Sequence, residues 1–379
     1  MRLTIIAGFG KGKNTHSVGP RHTRPATLAE SLASYYNSIM ELKEALEKSA
    51  GLIDTCRKEL AKRIVGQQGM IDGLLSALVA GGHVLLEGVP GLAKTLAVKS
   101  LAEITGLGFK RIQFTPDLLP ADLTGTLIWE QNTGSFSVRK GPVFANVILA
   151  DEINRAPAKV QSALLEAMEE KQVTIGETSY PLPEPFFVLA TENPIEHEGT
   201  YSLPEAELDR FLMKLLVSYP QGEEELEIVS RAATLGINNE KAAPLSPVLD
   251  MGGLALLRNA ANEIHVDRKI AEYMVSVAGA TRPAATRSAQ VQAGKAQSAE
   301  NGLYRYIAFG ASVRASIALH RCSRIRALFE GRNFVSPEDV KAAAVPVLRH
   351  RIVLSYEAEA EGLNADAVIS RILSHVPVP

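Results

Sequence analysis

Short apolar runs alternate with amphipathic segments between about residues 64 and 218. The runs read HVLLE, FKRIQF, NVILAD, PFFVLAT and LMKLLV. Alternation of this kind favours a parallel β-sheet with helices packed on both of its faces. A helix is predicted over residues 28–63, where apolar residues recur at intervals of three and four, at Leu28, Leu32, Tyr35, Tyr36, Ile39, Leu42 and Leu46.

The pattern changes after the segment SYPQGEEE. Residues 222–379 show helical periodicity almost throughout and no convincing strand. We therefore predict an α/β domain over residues 28–220 and a separate small helical domain over residues 221–379. Inside the second domain, a stretch rich in alanine, glutamine and serine predicts a flexible insertion at about residues 284–302.

Two segments within the α/β part carry hairpin signals. Residues 126–140 hold two short alternating runs around Asn132-Thr133-Gly134, and residues 171–183 are similar around Gly176 and Glu177. Both segments lie between core elements, so both hairpins should project from the sheet. Either the hairpins have a functional role, or they are surface hairpins without one.

Composition narrows the class of protein. The 379 residues are 46% hydrophobic and 22% charged with a net charge of -2, as in soluble globular chains without a general affinity for nucleic acid. No apolar run approaches the ~18 residues of a membrane span, and no signal peptide is evident, so a cytoplasmic location is expected. Residues 1–27 carry bases, no acid and no periodicity, which predicts a disordered leader. Cys56 and Cys322 are expected to be buried, inert thiols.

A phosphate-binding loop is predicted after the first apolar run. A strand over residues 83–87 is followed by a tight turn and then by Lys94 and Thr95 at the start of a helix; the turn consists of Gly88, Val89, Pro90, Gly91, Leu92 and Ala93. Such a turn directs backbone N–H groups at an anion beside a helix N-terminus. Lys94 would reach the β- and γ-phosphates of ATP, and Thr95 would offer its hydroxyl to Mg²⁺. Ala93 departs from the strict pattern, which has glycine there; the alternative is a glycine-rich turn with a solvated lysine.

A pair of acidic residues strengthens the nucleotide interpretation. The apolar run NVILAD ends in Asp151 and Glu152. An acid at the end of a neighbouring strand can hold Mg²⁺ through its water shell, and a second acid can polarise the attacking water. Alone the pair is a weak signal, but together with the loop it is a strong one.

With these residues placed, the chain resembles the MoxR family of AAA+ ATPases over about residues 35–370. The motifs are LLEGVPGLAKT, ILADEINRAP, LATENP, LPEAELDRFL and GASVRA in that order, with IVGQ upstream. The resemblance implies a P-loop core with a five-stranded parallel sheet, helix-2 and pre-sensor-1 hairpins, and a small all-α lid. It also implies hydrolysis of ATP with Mg²⁺ at the subunit interfaces of a ring, expected to be hexameric.

The resemblance assigns roles to three further residues. Asn193 would orient water against the γ-phosphate, although an asparagine before Pro194 also suits a turn cap. Arg210 would be the finger that reaches a neighbour's nucleotide, with Arg155 as a second candidate and an Asp209–Arg210 surface pair as the alternative. Arg314 would fold the lid onto the γ-phosphate as sensor 2.

Two features bear on these roles. Val313 precedes Arg314 where the family more often has proline, and no role is assigned to Glu192 or His197. The output that the resemblance implies is chaperone-like remodelling or maturation of a partner protein, with steps such as cofactor or metal insertion and with von Willebrand A-type domain partners. Trp129 and Phe136 on the first hairpin would then contact substrate at the pore.

Three alternatives stay open. A nucleic-acid motor would use the few hairpin bases, Arg139, Lys140 and Lys171, but no DNA-binding helix-turn-helix or zinc module is recognisable. A metal-chelatase subunit is a closer relative of the main interpretation. A nucleotide-binding scaffold without turnover is disfavoured by the presence of Glu152, Asn193 and Arg210.

Overall fold

The computed structural model describes residues 28–194, 199–235, 244–283 and 305–379. The predicted leader, the predicted insertion and His197 lie outside these residues. The chain divides into two compact units, Met1–Glu41 and Leu42–Pro379. In the first unit the described residues belong to a single helix, and apart from the bounds of that helix all that follows concerns the second.

The first half of the chain alternates helices and strands as expected. In chain order its elements are α1 (Leu28–Ala61), α2 (Gln68–Ala80), β1 (Val84–Glu87), α3 (Lys94–Thr105), β2 (Phe109–Gln113), α4 (Pro120–Thr124), β3 (Gly125–Glu130), β4 (Ser135–Lys140), β5 (Val147–Asp151), a 3₁₀ turn (Ile153–Arg155), α5 (Ala158–Glu170), β6 (Gln172–Ile175), β7 (Thr178–Pro181), β8 (Phe187–Glu192), α6 (Glu205–Leu208) and β9 (Met213–Leu216).

The central sheet confirms the predicted five parallel strands. Its order is β2-β5-β8-β1-β9, so the chain crosses over repeatedly. Alternate residues enter two separate cores: on β1, Val84 and Leu86 join the core that contains α2 and α3, and Leu85 joins the core that contains α5. Burial on both faces explains why these strands read as continuous apolar runs in the sequence.

Both predicted hairpins are present. In the first, β3 pairs antiparallel with β4, and Trp129 lies directly opposite Phe136. In the second, β6 pairs with β7. The hairpins touch, because a Cβ placed on Gly176 would lie 2.8 Å from Cδ1 of Leu127. The two hairpins therefore form one neighbouring pair of projections.

The described residues after β9 form helices, with one small exception. Its described elements are α7 (Gly222–Leu235), α8 (Met251–Glu263), α9 (Arg268–Gly279), β10 (Ile307–Phe309), α10 (Val313–Phe329), α11 (Pro337–Leu348), β11 (Val353–Leu354), α12 (Tyr356–Ala360) and α13 (Ala365–His375). The prediction of no strand here was wrong: β10 and β11 pair antiparallel. Strands of two and three residues are too short to show alternation.

Two further sequence expectations concern burial. Cys56 and Cys322 are both buried and free, as predicted. Burial raises the pKa of Cys56 to about 11 and that of Cys322 to about 12, so neither is a reactive thiolate. Within the described residues, no helix is long and apolar enough to cross a membrane.

Candidate nucleotide site

The phosphate loop joins β1 to α3 as predicted. Gly91 has φ of 86°, a left-handed torsion that favours glycine. Gly88 has an ordinary torsion; it is needed because a Cβ there would lie 2.8 Å from the carbonyl oxygen of Val217. Ala93 is the N-cap of α3 with φ of 57° and is not the first helical residue. The left-handed torsion at Ala93 explains why the strict pattern has glycine there.

The charged end of the loop faces its own backbone. Lys94 is the first residue of α3 and donates from Nζ to the carbonyl oxygen of Gly88, and at 3.5 Å to that of Glu192. Thr95 is half-buried beside it, while Pro90 and Gly91 are exposed. A lysine held over a loop of this shape, at a helix N-terminus, fits an incoming phosphate chain.

Asp151 ends β5 at the same edge of the sheet and is 8% exposed. Its Oδ1 accepts from Thr191 Oγ1 at 2.6 Å, and its Oδ2 accepts from Arg111 Nη2 at 2.6 Å. Both carboxylate oxygens are therefore already engaged. This arrangement suits a metal contact through a water better than a direct one.

Glu152 follows Asp151 with φ of 57°. Its Oε2 accepts from Gln113 Nε2 at 2.7 Å and from Arg155 Nη1 at 3.0 Å, and its backbone N–H donates to Thr191 Oγ1 at 2.8 Å. A left-handed torsion on a non-glycine residue is typical of functional sites. Arg155, the second finger candidate, thus contacts the acid of its own chain.

Asn193 follows the last residue of β8 and is 5% exposed. Because β8 lies between β5 and β1, this amide stands between the acidic pair and the phosphate loop, as the sequence predicted. The neighbouring Glu192 is held by Lys214 Nζ at 3.6 Å, and burial raises its pKa.

Arg210 and Arg314 lie together at the opposite edge of the sheet. Each pairs with Glu169: Arg210 Nε at 2.8 Å and Arg314 Nη2 at 2.5 Å. The cavity of about 390 Å³ that they line also contains His83 and Leu212, which immediately precede strands β1 and β9. Since parallel strands share one direction, this is the amino edge, whereas the phosphate loop leaves the carboxyl edge.

Arg314 therefore does not face the phosphate loop of its own chain, which corrects the expected sensor 2 geometry. Arg314 is the second residue of α10. The side chain of Ser312, the N-cap of this helix, accepts a hydrogen bond from the backbone N–H of Arg314 at 3.0 Å. The cap secures the helix start although Val313 replaces the family's proline. The alternative Asp209–Arg210 pair is also absent, because Asp209 binds Arg351 at 2.7 Å.

Arg351 holds the loop that carries Arg210. Arg351 is buried, and its guanidinium donates to the carbonyl oxygens of Asp209, Phe211, Leu212 and Val347. It thereby joins the chain before β9 to the end of α11. Burial lowers the pKa of Arg351, and the Asp209 carboxylate raises it because it favours the charged guanidinium.

Sequence reasoning missed four residues of this site, namely Arg111, Gln113, Thr191 and Arg351. A signal existed for two of them. Arg111 and Gln113 stand two apart on β2, so they share one face of a strand that ends at the carboxyl edge. Thr191 and Arg351 gave no such signal, because their roles depend on partners distant in sequence.

Comparison with known proteins assigns the family. Residues 83–213 match the model of the ATPase family associated with various cellular activities (AAA), and residues 304–372 match the AAA lid domain. Chaperone MoxR1 of Mycobacterium tuberculosis is 44% identical over 100% of this chain and 93% of its own length. This chain belongs to the MoxR-type AAA ATPases.

Two further similarities agree with the assignment. The uncharacterised protein YeaC of Bacillus subtilis is 42% identical over 86% of this chain and 95% of its own length. A crystal structure of a candidate ATPase from Cytophaga hutchinsonii superposes with a TM-score of 0.77, at 48% identity, over 90% of this chain and 99% of that one. Membership of the family makes ATP the nucleotide and hydrolysis the reaction.

Proposed function

We propose that this chain is one subunit of a ring, expected to be hexameric, that hydrolyses Mg-ATP between neighbouring subunits and uses the energy to remodel or mature another protein. One observation carries the proposal: Arg210 and Arg314 share Glu169 at the edge of the sheet opposite Lys94. The four residues of β1 alone separate the two edges by about 13 Å. Arginines at this edge are better placed to bind the phosphates of a nucleotide held by a neighbouring subunit than those of a nucleotide held by their own chain.

At the carboxyl edge, this chain would bind and orient the nucleotide. The turn from Gly88 to Ala93 directs backbone N–H groups at the phosphates, and Lys94 neutralises them. Thr95 and, through water, Asp151 would hold Mg²⁺, which supplies further charge neutralisation when bound.

Glu152 is proposed to take a proton from the attacking water while Asn193 orients that water. Gln113 and Arg155 fix the Glu152 carboxylate until then. A neighbour's Arg210 and Arg314 would stabilise the transition-state charge, because a guanidinium fork keeps its charge and matches phosphate oxygens. For that, both arginines must leave Glu169 when the subunits assemble.

The ring is tested by ATPase rate against protein concentration, for the wild type and for an equal mixture with Arg210→Ala. We expect the rate per subunit to rise with concentration. Arg210→Ala alone should bind ATP normally and lose at least about 10³-fold in turnover, the scale of an arginine finger. A flat rate that Arg210→Ala leaves unchanged would make Arg210 a structural residue.

A chaperone-like output is supported by the similarity to a chaperone and by the first hairpin. Trp129 and Phe136 are 53% and 64% exposed, with ring centroids 5.0 Å apart, and so present an aromatic tip. We extend the proposal to partners that carry a von Willebrand A-type domain and to steps such as cofactor or metal insertion.

The aromatic tip is tested with unfolded casein as a model client. Trp129→Ala should abolish stimulation of the ATPase by casein and leave the unstimulated rate intact. Phe309→Ala, which removes a 72% exposed aromatic outside the hairpins, is the control and should change neither. Equal stimulation of the wild type and both variants would show that the aromatic tip does not act on the client.

The nucleic-acid motor has less support. Lys140 lies 4.8 Å from the ring centroid of Phe144 and 5.5 Å from that of Tyr180, so this base packs against the protein. An ATPase that DNA stimulates with a steep salt dependence would favour this alternative.

A further inference from the structure

Helix α7 is amphipathic, and the described residues bury little of its surface. From Gly222 to Ser230 every residue except Glu224 is exposed, and Leu226 and Val229 are 68% and 60% exposed. A helix of 14 residues is marginal in water alone and is normally stabilised by burying its apolar face. Within the described residues, nothing buries the Leu226–Val229 face.

The other side of α7 is anchored by polar contacts. Arg231 donates to the carbonyl oxygens of Ala61 and Lys62 at 2.9 and 3.0 Å. The carboxylate of Glu224 lies so close to Gly66 that a Cβ there would be 2.3 Å from Oε1. The helix is thus held in place with its apolar face outward.

The apolar face of α7 is bordered by acids. Glu223 precedes Leu226 by three positions and Glu225 precedes Val229 by four, so these pairs share a face. In the described part of the chain, neither acid forms an ion pair. We call this surface, formed by Glu223, Glu225, Leu226 and Val229, the acidic face of α7.

Helix α10 offers the complementary surface. Val313 and Ile317 are 67% and 50% exposed and stand four apart, and Arg321 follows four positions later. Arg321 and Lys171 line both the 390 Å³ cavity that contains Arg210 and a second cavity of about 380 Å³. We call Val313, Ile317, Arg321 and Lys171 the basic face of α10.

In the described part of the chain, the charges of Lys171 and Arg321 have no acidic partner within ion-pair distance. Among the lining residues of the second cavity, Lys171 and Arg321 are joined by Arg258 and Arg324 and by no acidic side chain. Arg321 and Lys171 form no ion pair with the residues that the structure describes. In the first cavity Glu169 and Asp209 are already paired with other arginines.

The two faces lie at opposite edges of the sheet. Helix α7 follows the carboxyl end of β9, and its neighbour Gln67 bonds to the carbonyl oxygen of Ser218 at 2.7 Å. The basic face borders the amino edge together with Arg210 and Arg314. A head-to-tail ring joins two different surfaces of the same chain, so in the proposed ring the amino edge of one subunit can meet the carboxyl edge of the next.

We propose that the acidic face of α7 docks on the basic face of α10 of the neighbouring copy of this chain. The inference rests on the proposed ring and names the surface that closes it. Apolar side chains of both helices would be buried at the centre, and Glu223 and Glu225 would meet Arg321 and Lys171 at the rim. The contact would set the register in which Arg210 and Arg314 reach the neighbouring nucleotide.

Disulfide trapping tests the contact directly, because both native cysteines are buried. A chain with Leu226→Cys and Ile317→Cys should form linked dimers and higher multiples on mild oxidation with Mg-ATP. Either substitution alone should give no multiples beyond dimers. Leu226→Cys with Tyr356→Cys is the matched control, since Tyr356 is 82% exposed outside the basic face, and it should give no ladder. Absence of a ladder from the first pair overturns the proposal.

A charge exchange provides the second measurement. Glu223→Lys with Glu225→Lys, and separately Lys171→Glu with Arg321→Glu, should each weaken self-association at least about tenfold in sedimentation. All four substitutions in one chain should restore association. Binding of a fluorescent ATP analogue at Lys94 should be unchanged in each variant, which shows that it is folded.

The outcomes separate this inference from the proposed function. If the wild type assembles but neither exchange affects assembly, the ring stands and the α7–α10 contact is wrong. If the wild type stays monomeric at every concentration with Mg-ATP, the ring and the contact both fail.

Discussion

Ala93 holds a left-handed torsion that the loop needs and that an L-residue rarely adopts. Its φ of 57° and the equal φ of Glu152 place strain at the two sides of the nucleotide site. Such strain persists only where the surrounding structure fixes it, here a helix start and a buried strand end. At the scale of the residue, the site is therefore built from two locally unfavourable torsions and a set of satisfied carboxylates.

Ala93→Gly should stabilise the protein and keep the ATPase. Replacing the left-handed alanine relieves about 1 kcal/mol of backbone strain. The larger entropy of glycine in the unfolded chain offsets part of this, so the free energy of unfolding should rise by about 0.5 kcal/mol. The matched control is Ala97→Gly, in the body of α3, which should lower the free energy of unfolding by at least about 1 kcal/mol. Urea unfolding of both variants measures these changes. Destabilisation by Ala93→Gly would contradict the claim that Ala93 is held in a strained left-handed torsion.

His83 should make the fold acid-sensitive. Burial lowers its pKa to about 4, and its ring bonds Met168 and Val188 as the neutral form. The unfolded chain, with a histidine pKa near ~6.5, takes the proton first, so this stability is present above pH ~6.5 and is lost as pH falls toward 4. The loss amounts to roughly 3 kcal/mol.

Thermal unfolding between pH 7 and 4 measures this effect. His83→Gln should flatten the dependence but not remove it, because burial also lowers the pKa of His350 in the same direction. An unchanged slope in His83→Gln would show that His83 is not the group that titrates.

At the scale of the element, strands and hairpins were the readable part of the sequence. Strands buried on both faces give unbroken apolar runs, and Asn132-Thr133-Gly134 marks a turn by its own chemistry. The edge at which Arg314 lies could not be read, because it depends on where α10 packs, and the motif fixes only the helix start. Likewise, the loop around Arg210 is held by Arg351, which lies 141 positions later.

Arg351→Met should destabilise the protein by about 3 kcal/mol, since it removes the charged donor that Asp209 and several buried carbonyl oxygens share. It should also lower ATPase turnover by misplacing Arg210. Arg326→Met is the control, because its guanidinium is 51% exposed at 3.8 Å from Asp339 and should contribute under ~1 kcal/mol. Equal destabilisation by the two variants would contradict the role of Arg351.

At the scale of the whole molecule, the residues proposed to act on ATP are divided between the two edges of one sheet. Lys94, Asp151, Glu152 and Asn193 stand at the carboxyl edge, and Arg210 and Arg314 stand at the amino edge. A single copy thus carries both groups of residues, and in the proposed ring they meet only across an interface. The exposed faces of α7 and α10 supply the surfaces on which that interface can form.

The measurement that tests this division most directly is complementation between two inactive variants. Glu152→Gln keeps the arginines and loses the base; Arg210→Ala keeps the base and loses the finger. An equal mixture in random rings should recover about one quarter of the wild-type rate, because one interface in four joins an intact base to an intact finger. Arg314→Ala should complement in the same way. A mixture as inactive as its components would contradict the account, since it would mean that base and arginine act within one chain.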